Sequence, residues 1–289
     1  MKKKRLILLT ALLLSLILLF TAGSASLVYV NRHNIYLFIQ REGLFLQRVP
    51  VKEKAITDLH AVSIEEAQKD DRVTFDQSMM LINKEHMLTE DFSPALSEYK
   101  ESGVLMNDCM QQAYASLSAA VSKKTDTKLY VSSHYRIPEK QAALYLEDPN
   151  TATVPGASEH QTGLCVDVYV AYYAGDAFIK SPAGRFVNSN CHDYGFIIRY
   201  PSYGEKETGI RFEPWHIRYV GFPHASIIHQ NHLTLEEYLF SLEEGRWYLA
   251  DGYLISRQPI GDTILLPEDF SKAVISEDNT GCCVVTVQP

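Results

Sequence analysis

The sequence predicts an α+β protein: helices flank a mainly antiparallel sheet, with an apolar helix at the amino end and a small β-rich extension at the carboxyl end. Three patterns carry that expectation. Between Asp108 and Lys123 the residues Met110, Ala113, Tyr114, Leu117, Ala120 and Val121 recur at spacings of three and four, so one helix face is apolar. Val166, Val168 and Val170 alternate with Asp167 and Tyr169, the period of a strand with one face toward a core. Beyond residue 240, Trp247-Tyr248-Leu249, Tyr253-Leu254-Ile255, Thr263 to Leu266, Ala273 to Ile275 and Val284 to Val287 are short apolar runs separated by Gly, Pro, Asp and Asn, as in small β-structure.

In chain order, Leu6 to Phe20 is almost unbroken Leu and Ile, and no charge falls between Arg5 and Arg32. At roughly 1.5 Å per residue this stretch is long enough for about 30 Å of hydrocarbon. Lys2, Lys3, Lys4 and Arg5 ahead of it favour a cytoplasmic amino end. Residues 1–31 are therefore expected to be a basic start and a transmembrane helix, a single pass in the cytoplasmic membrane with the remainder outside. Gly23-Ser24-Ala25 offers a cleavage site that would make the protein secreted instead. Residues 32–71 read as a stalk and lead-in, with a helix beginning at Ser63, where Ser63-Ile64-Glu65-Glu66 has the capping-box spacing.

The main domain is expected over 72–240. Within it Met80 to Asn83 reads as a short strand before a turn, and Leu129 to Arg136 as a second strand. Pro138 suits the first turn of a helix carrying Glu139, Gln141 and Leu144. Pro214 to Val220 is a further strand ended by Gly221, and Thr234 to Glu243 a late helix. Residues 241–289 form the β-rich accessory extension, expected to pack on the main domain.

The 289 residues carry 27 basic and 35 acidic side chains, a formal charge of −8. Four of the basic residues are Lys2 to Arg5, which leaves 23 against 35 for the rest. Nucleic acid is not expected as a partner, since phosphate binding needs a basic face. The five cysteines, Cys109, Cys165, Cys191, Cys282 and Cys283, are odd in number and scattered. They make neither a disulfide framework nor a C-x-x-C knuckle. Cys282 and Cys283 read as small buried residues of an apolar strand.

Chemistry concentrates in two segments. Ser158-Glu159-His160-Gln161-Thr162-Gly163-Leu164-Cys165-Val166-Asp167 offers a His and an Asp, and Glu213-Pro214-Trp215-His216 offers a second His with a carboxylate three residues before it. His160, Asp167 and His216 make three metal ligands that leave a fourth position to water, and Glu213 is a carboxylate to take that water's proton. This is the inventory of a catalytic zinc site, one Zn2+ per chain. His33, His60, His86, His192, His224, His229 and His232 lack such a pattern and read as exposed or satisfied partial-core residues. On a regular strand, positions three apart face opposite sides. Glu213 and His216 therefore meet only if the chain bends near Pro214. Cys165 shares the strand face of Asp167 and offers a fourth, thiolate donor that would close the metal.

The two segments match the patterns S-x-H-x-x-G-x-x-x-D and E-x-W-H, and Ser133-His134-Tyr135-Arg136 followed by Gln141 matches S-x-Y-R before a helix bearing Gln. The chain thereby resembles zinc D,D-carboxypeptidases of the VanY type, within the lysostaphin, D-Ala-D-Ala peptidase and hedgehog group, over roughly residues 72 to 240. The resemblance implies that Glu213 is the catalytic base and that Arg136 stabilises the oxyanion or holds the peptide. It implies substrate-positioning roles for Ser158 and Gln141, and places Trp215 beside the metal. It also implies removal of the terminal D-Ala from peptidoglycan stem pentapeptides or their lipid-linked precursors, with a contribution to glycopeptide resistance. The motifs are shared by L,D-carboxypeptidases acting on tetrapeptides, by cross-bridge endopeptidases and by non-catalytic zinc-bearing binding domains. Two positions depart from the family pattern: Cys165 stands where a small residue such as Ala is usual, and His134 where Gly is frequent.

Overall fold

A computed structural model describes residues 25–149 and 152–289. The chain divides into two compact units, Met1–Phe45 and Leu46–Pro289. The described part of the first is helix α1 (Ala25–Glu42) with the turn after it. The expected single-pass membrane anchor, and with it the cytoplasmic membrane as a partner, is corrected here. Among the described residues no helix is long and apolar enough to cross a membrane. Helix α1 carries Arg32, His33, Asn34, Gln40, Arg41 and Glu42 within its 18 residues, and each charge placed in hydrocarbon costs several kcal/mol. The run Leu6 to Phe20 that predicts the anchor lies outside the described residues.

The second unit runs β1 (Lys52–Glu53), β2 (Leu59–Ser63), α2 (Ile64–Ala67), β3 (Val73–Asp76), β4 (Leu96–Glu98), β5 (Leu105–Asn107), α3 (Gln111–Thr125), β6 (Tyr130–Ser133), α4 (Pro138–Glu147), β7 (Cys165–Tyr169), α5 (Pro182–Asn190) and β8 (Phe196–Ile198). It continues with α6 (Glu205–Thr208), β9 (His216–Tyr219), α7 (His224–Asn231), α8 (Leu235–Ser241), β10 (Trp247–Ala250), β11 (Tyr253–Pro259), β12 (Thr263–Pro267), β13 (Lys272–Glu277) and β14 (Cys282–Gln288). Four strands in the order β6-β7-β9-β8 make an antiparallel sheet. One of its faces meets α3 and α5 in a core containing Tyr114, Leu117, Val121, Val166, Val168, Phe196 and Ile217. The apolar stripe of α3 and the alternating valines of β7 are the two halves of that core. Helix α3 is preceded by a 3-10 turn over Asp108–Met110, where the Asn107 side chain accepts from the Cys109 N–H, and it ends at Asp126 in a left-handed conformation.

The larger sheet has the order β1-β10-β11-β14-β13-β3, antiparallel except for the parallel β13–β3 pair. Residues 241–289 supply its middle, and β12 pairs separately with β2. The stretch expected as stalk and lead-in thus contributes β1 and β2 to the sheets of the carboxyl-terminal residues. Capping boxes open both α2 (Ser63 with Glu66) and α8 (Thr234 with Glu237), the second from a Thr-x-x-Glu spacing that the sequence reading passed over.

Two expected strands are revised. Met80 to Asn83 is irregular although Met79 to Ile82 are buried. The Ser78 and Met80 carbonyls accept from Arg218 Nη2 at 2.9 and 2.6 Å, so a side chain stands in for a neighbouring strand. The Leu129 to Arg136 strand stops at Ser133, because the Tyr135 and Arg136 N–H groups donate to Leu105 and His160 carbonyls outside the ladder.

His224 bridges α7 to the rest of the core, with Nδ1 2.7 Å from the Tyr238 hydroxyl and Nε2 2.8 Å from Thr286 Oγ1. Burial pushes its pKa down to about 3, whereas an unfolded histidine takes a proton near about 6.5. The folded state then binds fewer protons, so this contribution to stability is complete above about pH 6.5 and is lost as pH falls toward 3, by up to about 1.4 kcal/mol per pH unit. Denaturant midpoints measured from pH 7 to pH 4 should fall less steeply in His224→Gln than in the parent. Equal slopes would refute the assignment.

Candidate active site

Three side chains are brought into one row by strand register. Ser133 of β6 lies opposite Asp167 of β7, and Asp167 lies opposite His216 of β9. Because Val166, Val168 and Val170 face the core, the alternate positions Cys165, Asp167 and Tyr169 must face the other side. His160 comes from the preceding 3-10 turn over Glu159–Thr162, which ends at Gly163 with φ 69°. A side chain there would be strained, and its Cβ would collide with Leu96 Cδ2 and stand 3.0 Å from the Asn107 nitrogen. The bend required near Pro214 is a turn closed by the His216 N–H donating to the Glu213 carbonyl at 3.2 Å. It is pinned from outside: Glu213 N–H donates to the Tyr200 carbonyl, Val168 N–H to the Trp215 carbonyl, and Asn188 Nδ2 to the Pro214 carbonyl.

The metal-ligating candidates converge. His160 Nε2 is 3.4 Å from Asp167 Oδ2, and His216 Nδ1 is 3.1 Å from Asp167 Oδ1 and 3.8 Å from Glu213 Oε2. His160 Nδ1 lies 3.0 Å from the His134 carbonyl, an acceptor only, so Nδ1 is the donor and Nε2 is the nitrogen turned toward Asp167. Asp167 Oδ1 is buried without a hydrogen-bond partner. A carboxylate with one unpartnered oxygen, flanked by an imidazole nitrogen at each of its two oxygens, is a donor set suited to a borderline ion such as Zn2+. Burial works against charge on both imidazoles, yet Cys165 and Asp167 more than offset it and draw positive charge to this point. Burial also opposes the Asp167 charge, and the two imidazoles overcome it and hold the carboxyl below its usual range. Burial raises Glu213 above the ordinary carboxylate range, against the pull of His216.

Cys165 is a second candidate donor. Its sulfur and the ligand atoms of His160 and His216 all lie within 4.8 Å of one another, and Cys165 is fully buried. Asp167 lies 3.4 and 3.1 Å from the two imidazoles and, unlike Cys165, lines the cleft, so we favour it as the third ligand.

Arg136, Gln141, Ser158, His160, Asp167, Glu213, Trp215 and His216 line one cleft of about 400 Å3. Arg136 donates to Gln141 Oε1 at 2.7 Å and to Ser133 Oγ at 2.9 Å. Gln141 is buried and its amide nitrogen donates to the Thr153 carbonyl at 2.6 Å, so this side chain is placed to hold Arg136. Ser158 is buried and its side chain does not cap the ligand turn. Lys84, Tyr200 and Arg211 also line the cleft, and the Tyr200 ring centroid is 4.9 Å from that of His216.

Sequence reasoning missed Glu159 and its partners. Glu159 Oε1 accepts from Arg199 Nε at 2.7 Å and Arg218 Nη1 at 2.5 Å, all three side chains being buried. The signal was present: each arginine interrupts or follows an apolar strand run, Phe196-Ile197-Ile198-Arg199 and Ile217-Arg218-Tyr219, where a charge survives only with a partner.

With this geometry in hand, similarity to known proteins becomes informative. Residues 103–222 match the VanY family model, described as D-alanyl-D-alanine carboxypeptidase. The chain is 33% identical over 199 residues to a D-alanyl-D-alanine carboxypeptidase of Enterococcus faecium, covering 65% of this chain and 63% of that protein. It is 33% identical over 178 residues to the bifunctional D-Ala-D-Ala dipeptidase and carboxypeptidase VanXYC of Enterococcus gallinarum, covering 56% of this chain and 93% of that protein. Among solved structures, a point mutant of the D,D-pentapeptidase VanY from a VanB-type resistance cassette, in complex with Zn(II), superposes with a TM-score of 0.51 at 29% identity over 56% of this chain and 98% of that one.

The ligand turn supplies a stability test. Gly163→Ala places a side chain at positive φ against Leu96 and Asn107, and should destabilise the protein by about 1–3 kcal/mol. Thermal melts followed by circular dichroism will read this as a lowered midpoint; an unchanged midpoint would show that the turn relaxes freely.

Proposed function

The chain belongs to the VanY family of D-alanyl-D-alanine carboxypeptidases, and from that premise we propose that it is a zinc-dependent D,D-carboxypeptidase. Its substrate is the peptidoglycan stem pentapeptide or its lipid-linked precursor, from which it removes the terminal D-Ala. Loss of that residue would contribute to glycopeptide resistance. The observation that carries this reading is the convergence of His160 Nε2 and His216 Nδ1 on the Asp167 carboxylate, with Glu213 Oε2 3.8 Å from His216 Nδ1 in the same cleft. In this reading residues 72–240 are the peptidase domain and 241–289 its accessory.

His160, Asp167 and His216 hold one zinc ion, which when bound makes water nucleophilic near neutral pH and polarises the scissile carbonyl. Glu213 accepts the proton of the attacking water and returns it to the leaving amine. Desolvation keeps this carboxylate more basic than an exposed one. Arg136 is fixed by Gln141 and Ser133, and the remaining donors of its planar fork stabilise the oxyanion or grip the terminal carboxylate. Ser158 positions the peptide beside His160. In this reading the buried Cys165 thiol, although within 4.8 Å of the ligand atoms of both histidines, is not a ligand.

Full-length protein should convert pentapeptide to tetrapeptide with release of one D-Ala, detected by mass spectrometry. Chelation should abolish this, and Glu213→Ala should abolish it while retaining zinc. Cleavage of tetrapeptide alone would make the enzyme an L,D-carboxypeptidase, and zinc bound without cleavage of either would make it a binding domain.

Two further outcomes concern individual residues. Asp167→Ala should lose the metal and Cys165→Ala keep it, as read by metal analysis; the reverse would make the thiolate the ligand. Arg136→Ala removes a charge-assisted contact worth roughly 1.5–3 kcal/mol, so turnover should fall about 10–150-fold.

A further inference from the structure

Beside the candidate zinc ligands are two buried polar atoms, each without a hydrogen-bond partner, that face one another. Glu159 Oε2 and His216 Nε2 are both unsatisfied, and 3.6 Å separates them. The other oxygen, Glu159 Oε1, is occupied by Arg199 Nε and Arg218 Nη1. Neither arginine has room to move away. Arg218 Nη2 donates to the Ser78 and Met80 carbonyls. Arg199 Nη1 and Nη2 make a bidentate pair with Glu236 at 2.9 and 2.6 Å. Glu159 is thus a carboxylate fixed at one oxygen, with the second aimed at the back of the imidazole.

Resting on the zinc reading above, we propose that Glu159 is the positioning residue of His216. Its Oε2 accepts a hydrogen bond from the His216 Nε2–H, which leaves the Nδ1 lone pair toward Asp167 and the metal. A carboxylate behind a ligating histidine fixes both ring orientation and tautomer. The two ligating histidines are then oriented by different devices. His160 is held by a backbone carbonyl at Nδ1 and presents Nε2, while His216 is held by a carboxylate at Nε2 and presents Nδ1. The closing of the 3.6 Å gap satisfies two buried atoms at once, and no other polar group is needed.

The alternative is that Glu159 only neutralises two buried arginines. Glu159→Gln distinguishes the two. The two arginines require an oxygen at the Oε1 position, so the amide nitrogen of the variant falls where Oε2 was. An N–H donor then faces His216 Nε2, and the tautomer with Nδ1–H becomes the favoured one. Zinc affinity of the full-length protein, measured by competition with a chromophoric chelator, should fall about 10–100-fold. Glu236→Gln perturbs the same buried cluster through Arg199 without touching His216, and its zinc affinity should equal that of the parent. Equal weakening in both variants, or in neither, overturns the proposal. Failure of the parent to bind one zinc overturns the zinc reading itself and is seen before either variant is compared. Should Glu159→Gln not fold, the zinc-loaded parent decides: long-range proton–nitrogen spectra should show His216 protonated at Nε2, with that proton shifted downfield and slow to exchange. A fast-exchanging Nε2 proton, or protonation at Nδ1, overturns the proposal.

Discussion

The register of three strands is the constraint on which the site depends. With Asp167 between Ser133 and His216, the catalytic candidates of β6, β7 and β9 share one row, and a slip of one residue in β7 would reverse every side chain. Such a slip would expose Val166, Val168 and Val170, each worth roughly 1.5–3 kcal/mol when buried. It would also drive Asp167 into the apolar core against α3 and α5, where an unpaired carboxylate costs several kcal/mol more. Both terms have the same sign, so packing on one face of the sheet fixes chemistry on the other. The turn at Pro214 extends that control to Glu213, because its three external hydrogen bonds tie it to the ends of neighbouring elements.

The ion cluster beneath the site works differently. Arg199 and Arg218 are buried to 1% and 0% exposure, and Glu159 to 1%. Burying such groups costs several kcal/mol per ion before their attraction is counted, so the cluster is weak evidence for stability. Its geometric consequence is firmer. Arg218 links β9 to the irregular segment at Ser78 to Met80, Arg199 links the end of β8 to Glu236 of α8, and Glu159 joins both to the ligand turn. Removing Glu159 would leave Arg218 without a carboxylate partner, whereas Arg199 would keep Glu236. The ligand turn and the two strands it faces therefore share one network of charge-assisted hydrogen bonds, and each is fixed relative to the rest.

Much of this was legible in the residues. The α3 stripe and the valine alternation of β7 are periodic signals that depend on one element at a time, and the structure has both. The metal-ligand candidates were legible because His160 and Asp167 sit in one short segment and because Glu213 and His216 sit in another. What escaped depends on distant pairing. Met80 to Asn83 looks like a strand by composition, but the Met80 carbonyl goes to Arg218 and the Leu81 carbonyl to Asn279, side chains distant in sequence. Glu159 falls at the unspecified position of the S-x-H pattern, and nothing local shows that two arginines distant in sequence meet it. The apolar run before residue 25 illustrates the opposite hazard: hydropathy alone predicted a spanning helix, while the helix that is described, α1, is interrupted by charge.

Under the proposed function an acidic protein takes an acidic peptide, an electrostatic difficulty which the cleft resolves locally. The chain carries a net charge of −8, yet at physiological ionic strength charges farther apart than about 8 Å are largely screened. What the substrate meets at contact distance is therefore the lining of the cleft, not the total. That lining includes Arg136, Lys84 and Arg211. Arg211 is committed in part, paired with Asp176 at 2.7 Å and lying 5.1 Å over the Trp215 ring. Arg136 instead has neutral partners, Gln141 and Ser133, which fix its direction without cancelling its charge. A guanidinium held by neutral acceptors in a partly desolvated cleft retains its full attraction for an anion, whereas one paired with a carboxylate does not. Under the proposed function, this places the recognition of negative charge on Arg136 and explains how the rest of the surface remains acidic without repelling the substrate from the site.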